Sequence, residues 1–331
     1  MKLYPLKFQP ILKELIWGGN KICKFKSIAP EKNNIGESWE ISGVKGNISI
    51  VSNGELKGKG LDELLVEYKK DLVGQYNYEQ FGTVFPLLFK FIDTNADVSV
   101  QVHPNDELAK KRHNAFGKTE MWYIINASPG ASVLVGFAKQ MTPEKYDKAI
   151  AENNFVSYLR KYDIQSDDVF LVNTGCVHAA KAGAFFIEIQ QTSDITYRIY
   201  DYDRVGADGK KRELHTELAK DAIDYTILDN YRTVYSSEEN KPVILESTRY
   251  FTTELLKLTK HIVRDFSKID SFVVYVCFEG SCRITDENNN RVEIKQGESI
   301  LIPAITQTIN IETDNKANLL ETYILKQIDS V

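Results

Sequence analysis

The chain lacks several features that mark specialised proteins. Among its 331 residues, no segment approaches the roughly 18 consecutive apolar residues that a membrane-spanning helix needs. The first residues contain no apolar core of the kind found in signal peptides. The four cysteines form no C-x-x-C pair, so we expect them to be reduced thiols. These absences predict a cytoplasmic protein that makes no membrane contact.

Neither sign of charge is in large excess. The 41 lysines and arginines against 46 aspartates and glutamates give a net charge of −5, which argues against a general nucleic-acid-binding surface. A pocket can still be basic on a mildly acidic protein, so anionic small molecules stay among the candidate ligands. With 43% hydrophobic and 26% charged residues, the chain resembles globular proteins that have one large core or two smaller ones. Nothing in the composition specifies an oligomeric state.

Short strands separated by turns dominate the predicted secondary structure. Apolar and β-branched residues alternate or form short blocks in five segments: 85–103, 120–125, 133–137, 169–172 and 185–200. Helical patterns occupy three segments: residues 61–72, a stretch that starts at Thr142-Pro143 and continues towards Lys161, and about 217–225. The pattern predicts an all-β barrel or sandwich on which helical insertions pack.

A polar segment, SSEENKP at residues 236–242, interrupts this pattern. We place a domain boundary near it, which gives a first domain over residues 1–238 and a C-terminal domain over residues 239–331. The second domain contains further short β segments, a DENNN turn and the glycine of QGESILIPA, as expected for a small barrel. It has no cluster of histidines, so we expect it to bind no metal.

Three short motifs carry candidate metal ligands. In VSVQVHP, at residues 98–104, alternation puts Ser99, Gln101 and His103 on one strand face and the valines on the other. The motif GKTEMWY contributes Glu120, and GCVH contributes His178. Two histidines and a carboxylate are a familiar ligand set for a catalytic divalent metal ion. Because these residues lie far apart in the sequence, they need a folded barrel to bring them together.

The same motifs resemble those of the mannose-6-phosphate isomerases of the cupin superfamily. The resembling segments are QVHP, GKTEMWY, GCVHA and EIQQTSDITYRIYDYDR, with WGG at 17–19, IGESWEIS at 35–42, FPLLFKFID at 85–93 and KRELH at 211–215. The segment GESILIPA resembles part of a second cupin. The resemblance implies a mainly β fold. Residues 1–238 are expected to form a metal-binding catalytic domain, a cupin-type jelly-roll barrel with helical insertions, and residues 239–331 a smaller C-terminal cupin-like barrel without metal.

The resemblance also implies a metal and an activity. One Zn²⁺ per chain would be bound by Gln101, His103, Glu120 and His178, although these ligand types also suit Mn²⁺ or Co²⁺. The expected reaction interconverts mannose 6-phosphate and fructose 6-phosphate, so the expected partner is a small sugar phosphate.

Further residues are implied to contact or transform this substrate. Ser99 and Lys118 are expected to bind it, and Arg198 suits either the phosphate or a negatively charged enediolate. The base that removes the C2 proton is either Lys90, which interrupts an apolar strand, or Glu188.

Other functions are compatible with parts of this sequence pattern. A cupin oxygenase would prefer Fe²⁺ and commonly two histidines with one carboxylate, whereas the additional Gln101 and the cationic residues favour an anionic sugar. An isomerase of another phosphorylated sugar and a sugar-binding cupin without activity stay open. Two positions differ from the usual family pattern, since Asn173 replaces a proline and Cys176 replaces a threonine. Neither change removes a predicted ligand.

Overall fold

The computed structural model describes residues 2–29, 32–206 and 209–326. Antiparallel strands dominate these ranges, which confirms the prediction of a mainly β protein. The strands are β1 (Ile11–Gly19), β2 (Ile35–Ser42), β3 (Leu87–Asp93), β4 (Val100–Val102), β5 (Glu120–Ala127), β6 (Ser132–Phe137), β7 (Leu159–Asp163), β8 (Val169–Val172), β9 (His178–Ala180), β10 (Ala184–Gln191), β11 (Tyr197–Tyr200), β12 (Val243–Ser247), β13 (Thr252–Leu258), β14 (Ile262–Asp265), β15 (Val273–Asp286), β16 (Arg291–Lys295), β17 (Glu298–Ile302), β18 (Thr308–Glu312) and β19 (Ala317–Tyr323).

Helices are short, and within the described ranges none is long and apolar enough to cross a membrane. They are α1 (Lys21–Phe25), α2 (Leu61–Tyr68), α3 (Lys70–Val73), α4 (Gln75–Phe81), α5 (Asp106–His113), α6 (Pro143–Ala151) and α7 (Thr216–Ala222), with a 3₁₀ helix at Phe155–Tyr158. The predicted helix over residues 61–72 is divided into α2 and α3, and α7 ends three residues before the predicted end. The predicted strand over residues 85–103 is likewise divided, into β3 and β4.

The start of helix α6 was predicted correctly from the sequence, and its end was not. It begins as predicted, because Thr142 Oγ1 accepts a hydrogen bond from Lys145 N at 3.3 Å and Pro143 occupies the first turn. It ends at Ala151 instead of continuing towards residue 161. Asn153 has a φ of 52°, which takes the backbone out of the helical region. The chain then forms the 3₁₀ helix at Phe155–Tyr158 before it enters β7.

Two antiparallel sheets face each other in the first part of the chain. One has six strands in the order β1-β2-β3-β10-β5-β8, and the other has five in the order β11-β4-β9-β6-β7. Trp122 and Phe186 of the first sheet pack with Val133 and Val135 of the second. Helices α6 and α7 cover the outer side of the five-stranded sheet. The result is a jelly-roll barrel with helical insertions, as predicted.

Alternation gives the six-stranded sheet two different faces. Along β3, Lys90 and Ile92 point between the two sheets, whereas Phe89 and Phe91 point to the opposite side. That opposite side packs on helices α2 and α3 and on side chains of β15 such as Val274. The sheet therefore has polar groups in the barrel and a continuous apolar layer behind it.

The residues from Val243 onwards form a second antiparallel unit. Its strands pair in the order β12-β13-β19-β15-β18-β14, and β16 and β17 also pair with β15. The unit has a core of its own, and it also contacts the first part of the chain. Leu6 and Leu301 exchange backbone hydrogen bonds of 2.8 Å, and the rings of Phe85 and Phe272 lie 4.6 Å apart. The domain boundary between residues 238 and 239 stays a prediction.

Candidate active site

Two rows of side chains face each other across the space between the sheets. In the five-stranded sheet, Arg198 of β11 lies opposite Gln101 of β4, which lies opposite His178 of β9. In the six-stranded sheet, Lys90 of β3 lies opposite Glu188 of β10. Antiparallel register thus brings together residues that are far apart in the sequence.

These rows line a cavity of about 220 Å³. Its walls combine acidic, basic and aromatic groups, which suits a small polar ligand. The polar and aromatic residues that line it include Glu37, Trp39, Lys90, Ser99, Gln101, Lys118, Trp122, His178, Glu188, Arg198 and Arg212.

His103, Glu120 and His178 form a buried cluster whose ligand atoms all lie within 4.8 Å of one another. Glu120 Oε2 is 3.4 Å from His103 Nε2, and Glu120 Oε1 is 3.5 Å from His178 Nε2. Each imidazole donates its Nδ1–H to a backbone carbonyl, His103 to Ile195 at 2.8 Å and His178 to Cys176 at 2.9 Å. The lone pairs of both Nε2 atoms are therefore directed into the cluster.

The cluster has the protonation states that a divalent metal requires. Burial and the nearby Lys118 lower the pKa of His103 to about 4, and burial lowers the pKa of His178. Burial alone would raise the pKa of Glu120, but Lys118 and His103 lower it well below its ordinary value. At neutral pH the cluster contains two neutral imidazoles and one carboxylate.

One carboxylate oxygen of the cluster lacks a hydrogen-bond partner within the described part of the chain. Among the described residues, Glu120 Oε1 is buried and unpaired, whereas Oε2 accepts a hydrogen bond from the Lys118 ammonium. Leaving a buried carboxylate oxygen unpaired is costly, and a cation beside Oε1 and the two imidazoles would remove that cost. The amide of Gln101 lies 3.2 Å from His178 Nε2 and adds a fourth polar group. The cluster could therefore hold a metal ion.

A second buried ionic group lies beside the cluster. Lys90 Nζ is 2.9 Å from Glu188 Oε1 and 3.8 Å from Glu37 Oε2, and Trp122 Nε1 donates to Glu188 Oε2 at 3.0 Å. Burial alone would lower the pKa of Lys90, but Glu188 and Glu37 raise it. This direction is opposite to the depressed pKa that a lysine base needs. Burial and the neighbouring Glu120 carboxylate would raise the pKa of Glu188, but Lys118 and Lys90 outweigh them and lower it, so this carboxylate is ionised.

Two arginines, Arg198 and Arg212, line the same cavity. Arg198 Nη1 donates to the carbonyl of Glu213 at 2.9 Å, and its Nε is buried without a partner among the described residues. Asp201 holds Arg212 by accepting from its Nε at 2.8 Å and its Nη2 at 2.5 Å. Burial and the charge of Arg212 lower the pKa of Arg198. An anionic group bound here would pair with both cations.

Known proteins of one family match almost the whole chain. Sequence profiles of the type I phosphomannose isomerase catalytic domain and of the mannose-6-phosphate isomerase cupin domain match residues 5–131 and 242–322. Mannose-6-phosphate isomerase ManA of Bacillus subtilis is 35% identical over 306 residues, 92% of this chain and 94% of that protein. The Streptococcus mutans enzyme of the same name is 31% identical over 311 residues, 94% of this chain and 96% of that protein. The chain belongs to the mannose-6-phosphate isomerase family.

The fold agrees with this family membership. The crystal structure of mannose 6-phosphate isomerase from Bacillus subtilis matches with a TM-score of 0.87 at 31% identity, over 97% of this chain and 99% of that one. The predictions of an enzyme of this family and of a cupin-type fold are confirmed.

Every residue predicted for the site lies at this cavity or in the buried cluster beside it. The predicted metal ligands are Gln101, His103, Glu120 and His178, and the predicted substrate-binding and catalytic residues are Ser99, Lys118, Lys90, Glu188 and Arg198. The individual roles of these residues stay predictions.

Sequence reasoning missed Arg212 and the residue that holds it. Arg212 lies in the KRELH segment that resembles the mannose-6-phosphate isomerases, but that segment forms no strand whose alternation could mark it. Asp201 directly follows β11 and binds both Arg204 and Arg212, with Nη2 to Oδ1 distances of 2.5 Å. The available signal was an acidic residue at a strand end followed by two arginines.

The turn before β9 contains the two departures from the usual family pattern, Asn173 and Cys176. Cys176 N donates to the carbonyl of Asn173 at 3.0 Å, which closes the turn without a proline. Cys176 orients His178 through its backbone carbonyl and not through its thiol. Burial raises the pKa of the Cys176 thiol to about 12, so the thiol stays neutral.

Proposed function

We propose that this chain is a zinc-dependent isomerase that interconverts mannose 6-phosphate and fructose 6-phosphate through an enediolate. The observation that carries the proposal is the unpaired, buried Glu120 Oε1 beside two Nε2 lone pairs, next to a cavity lined by lysines and arginines. Such a site combines a cation-binding cluster with the charges needed for an anionic sugar. It supports an aldose–ketose isomerase acting on a sugar phosphate.

The cluster residues would hold the metal. His103 and His178 would offer Nε2, Glu120 would offer a carboxylate oxygen, and Gln101 would offer its amide oxygen after rotation of the amide, since its nitrogen now faces His178. When bound, the metal supplies Lewis-acid polarisation of the sugar oxygens, which makes the proton on the adjacent carbon more acidic.

The remaining residues would bind and orient the substrate. Arg198 and Arg212 would pair with negative charge, because both line the cavity and the charge of Arg212 lowers the pKa of Arg198. Ser99 and Lys118 would donate hydrogen bonds to the sugar, since both line the cavity beside Gln101 and the Glu120 carboxylate. Arg198 would stabilise one of two anionic groups, either the phosphate or the enediolate.

Glu188 would be the base. It is ionised, and Lys90 and Trp122 fix its two oxygens, so its carboxylate is oriented towards the cavity. In the aldose-to-ketose direction, Glu188 removes the proton from C2 to give the enediolate and then returns that proton to C1, while a second proton passes from O2 to O1. Lys90 stays protonated and acts as a hydrogen-bond donor.

The deciding experiment is conversion of mannose 6-phosphate to fructose 6-phosphate by the purified chain, with and without a chelator. We expect turnover that the chelator stops and that added zinc restores. A His178→Ala variant should lose it, because an imidazole ligand is removed. A His261→Ala variant, which changes an exposed histidine outside the cluster, should keep it.

Each alternative has its own result. Folded, zinc-loaded protein that converts no mannose 6-phosphate would contradict the proposed reaction. Turnover that withstands the chelator, or that is restored by manganese and not by zinc, would contradict the choice of zinc. A Glu188→Gln variant that keeps full activity would refute the assignment of the base.

A further inference from the structure

The segment that carries Lys118 and Glu120 reaches β5 without regular secondary structure. Residues 114–119 belong to no helix or strand, and β5 begins at Glu120. Yet Lys118, Thr119 and Glu120 are all buried, and two of them face the metal-binding cluster. Other contacts must therefore fix where this segment lies.

A chain of hydrogen bonds runs from Asp106 to this segment through Gln191. Asp106 Oδ1 accepts hydrogen bonds from Gly117 N and from Gln191 Nε2, both at 2.9 Å. Gln191 Oε1 accepts from Thr119 N at 2.9 Å, and Gln191 N donates to the carbonyl of Thr119 at 3.1 Å. One carboxylate and one amide thus hold two backbone amides that flank Lys118.

The backbone of Gly117 packs tightly against Asp106. A Cβ atom at Gly117 would lie 2.8 Å from Asp106 N and 3.1 Å from Asp106 Oδ1, so a side chain here would displace the carboxylate. Asp106 is also only three residues beyond His103. The same contact therefore links the segment of one candidate metal ligand, His103, to the segment of another, Glu120.

The C-terminal unit supports the other oxygen of the carboxylate. Tyr250, in the turn between β12 and β13, donates its hydroxyl to Asp106 Oδ2 at 2.6 Å, and Arg249 Nη2 donates at 3.2 Å. With four donors on its two oxygens, Asp106 is held in one orientation.

We infer that Asp106 and Gln191 are positioning residues that set the distance of Lys118 and Glu120 from His103, and that Tyr250 of the C-terminal unit braces them. Within the described ranges, neither Asp106 nor Gln191 lines the cavity. They would therefore act through residues 114–119, the segment that they hold. The inference deepens the proposed function, and its predicted effect on kcat rests on that proposed function. Groups that orient metal ligands typically affect metal affinity or activity by about ten- to a hundredfold when removed.

The test compares Gln191→Ala, Asp106→Ala and Asp106→Asn with wild type. The matched control is Asp270→Ala, because Asp270 also accepts two backbone amides of the first part of the chain, Gln75 N at 2.8 Å and Tyr76 N at 2.9 Å. None of these three residues lies in the segment 114–119 or lines the cavity. Zinc affinity is measured by competition with a chromophoric chelator, and kcat and KM are measured with mannose 6-phosphate. Hydrogen exchange reports the amides of Gly117 and Thr119.

We expect Gln191→Ala and Asp106→Ala each to weaken zinc binding and to lower kcat by about ten- to a hundredfold, with KM changing less. Asp106→Asn keeps one oxygen for Gly117 N and should recover most of the loss. The double variant Asp106→Ala/Gln191→Ala should lose less than the two single losses combined, since the two side chains hydrogen-bond to each other and hold one segment. Amide exchange at Thr119 should accelerate in Gln191→Ala and not in the control.

The inference is overturned if Gln191→Ala and Asp270→Ala bind zinc and turn over alike, or if the two single losses add in full. Zinc affinity and amide exchange do not depend on isomerase activity. If wild type binds zinc but converts no mannose 6-phosphate, the proposed function fails, and these two measurements still decide whether Asp106 and Gln191 position the segment.

Discussion

Replacing Glu254 by glutamine should stabilise the protein at pH 8 and have little effect at pH 5. Glu254 lies in β13 beside a second carboxylate, Glu321 of β19. Both share one cation, with Arg264 Nη2 at 2.7 Å from Glu254 Oε2 and at 2.5 Å from Glu321 Oε1. The hydroxyls of Tyr275 and Tyr323 complete the group, at 2.6 Å from Glu321 Oε2 and 3.3 Å from Glu254 Oε1. Two carboxylates with one arginine leave a negative charge that burial penalises.

Burial and the neighbouring Glu321 raise the pKa of Glu254 from 4.5 to about 7. Between these values the folded state binds a proton that the unfolded state releases. The free energy of unfolding therefore falls as the pH rises through this window. At about 1.36 kcal/mol for each pH unit, the ceiling is about 3 kcal/mol, and solvent screening reduces the expected effect to about 1–2 kcal/mol. Glutamine cannot ionise, so the variant escapes this loss.

The assay is urea unfolding of both proteins at pH 5 and pH 8, with a chelator present because bound metal would stabilise the fold by mass action. The midpoint of Glu254→Gln should exceed that of wild type at pH 8 and nearly equal it at pH 5. Glu312→Gln, which removes the same charge from an exposed position on β18, should shift the midpoint equally at both pH values. The reasoning is refuted if Glu254→Gln behaves like this control or is destabilised at pH 8.

Three further variants test other parts of the structure. Cys176→Ser should keep the zinc affinity of wild type in chelator competition, because the backbone carbonyl and not the thiol orients the neighbouring imidazole; a marked loss would implicate the sulfur. Trp122→Phe should lower kcat about tenfold in steady-state assays, since Glu188 loses an indole donor worth about 1.5 kcal/mol or more while the ring stays; an unchanged kcat would contradict the role of this bond. Lys26→Met should cost about 3–5 kcal/mol in unfolding experiments, because it leaves the buried Glu40 without its cation. Adding Glu40→Gln should restore much of that loss, and no recovery would argue against the ion pair as the cause.

Strand alternation was enough to predict which side chains share the cavity face. In VSVQVHP the period of two separates Gln101 from the valines whatever the partner strands are. Cross-strand register has no such local signal. Strand β10 pairs with β3, and this pairing places Glu188 opposite Lys90, 98 residues away in the sequence. The Glu188 carboxylate then keeps the lysine protonated. The charge state of Lys90 was therefore beyond prediction from the sequence.

The contact between Asp106 and Gln191, which do not line the cavity, could not be predicted from the sequence either. Asp106 is, by sequence, an ordinary acidic residue in the first turn of a helix. Gln191 ends β10 on the face that points away from Glu188. Their contact requires the end of a strand to lie beside the start of a helix, and that relation is set by the tertiary fold alone. Periodicity finds residues that face the cavity and misses those that hold them.

The two-faced sheet constrains how this sequence can change over evolution. In β3 and β10, positions that face the cavity alternate with positions such as Phe89 and Ile187 that pack against the apolar layer behind. A substitution in either strand changes a side chain on one face of the sheet and leaves the other face unchanged. An insertion or deletion of a single residue exchanges the faces beyond it, sending Lys90 or Glu188 into the apolar layer and a phenylalanine or isoleucine into the cavity. Length changes in relatives should therefore collect in the loops and helices, and these two strands should keep their residue count while their composition drifts.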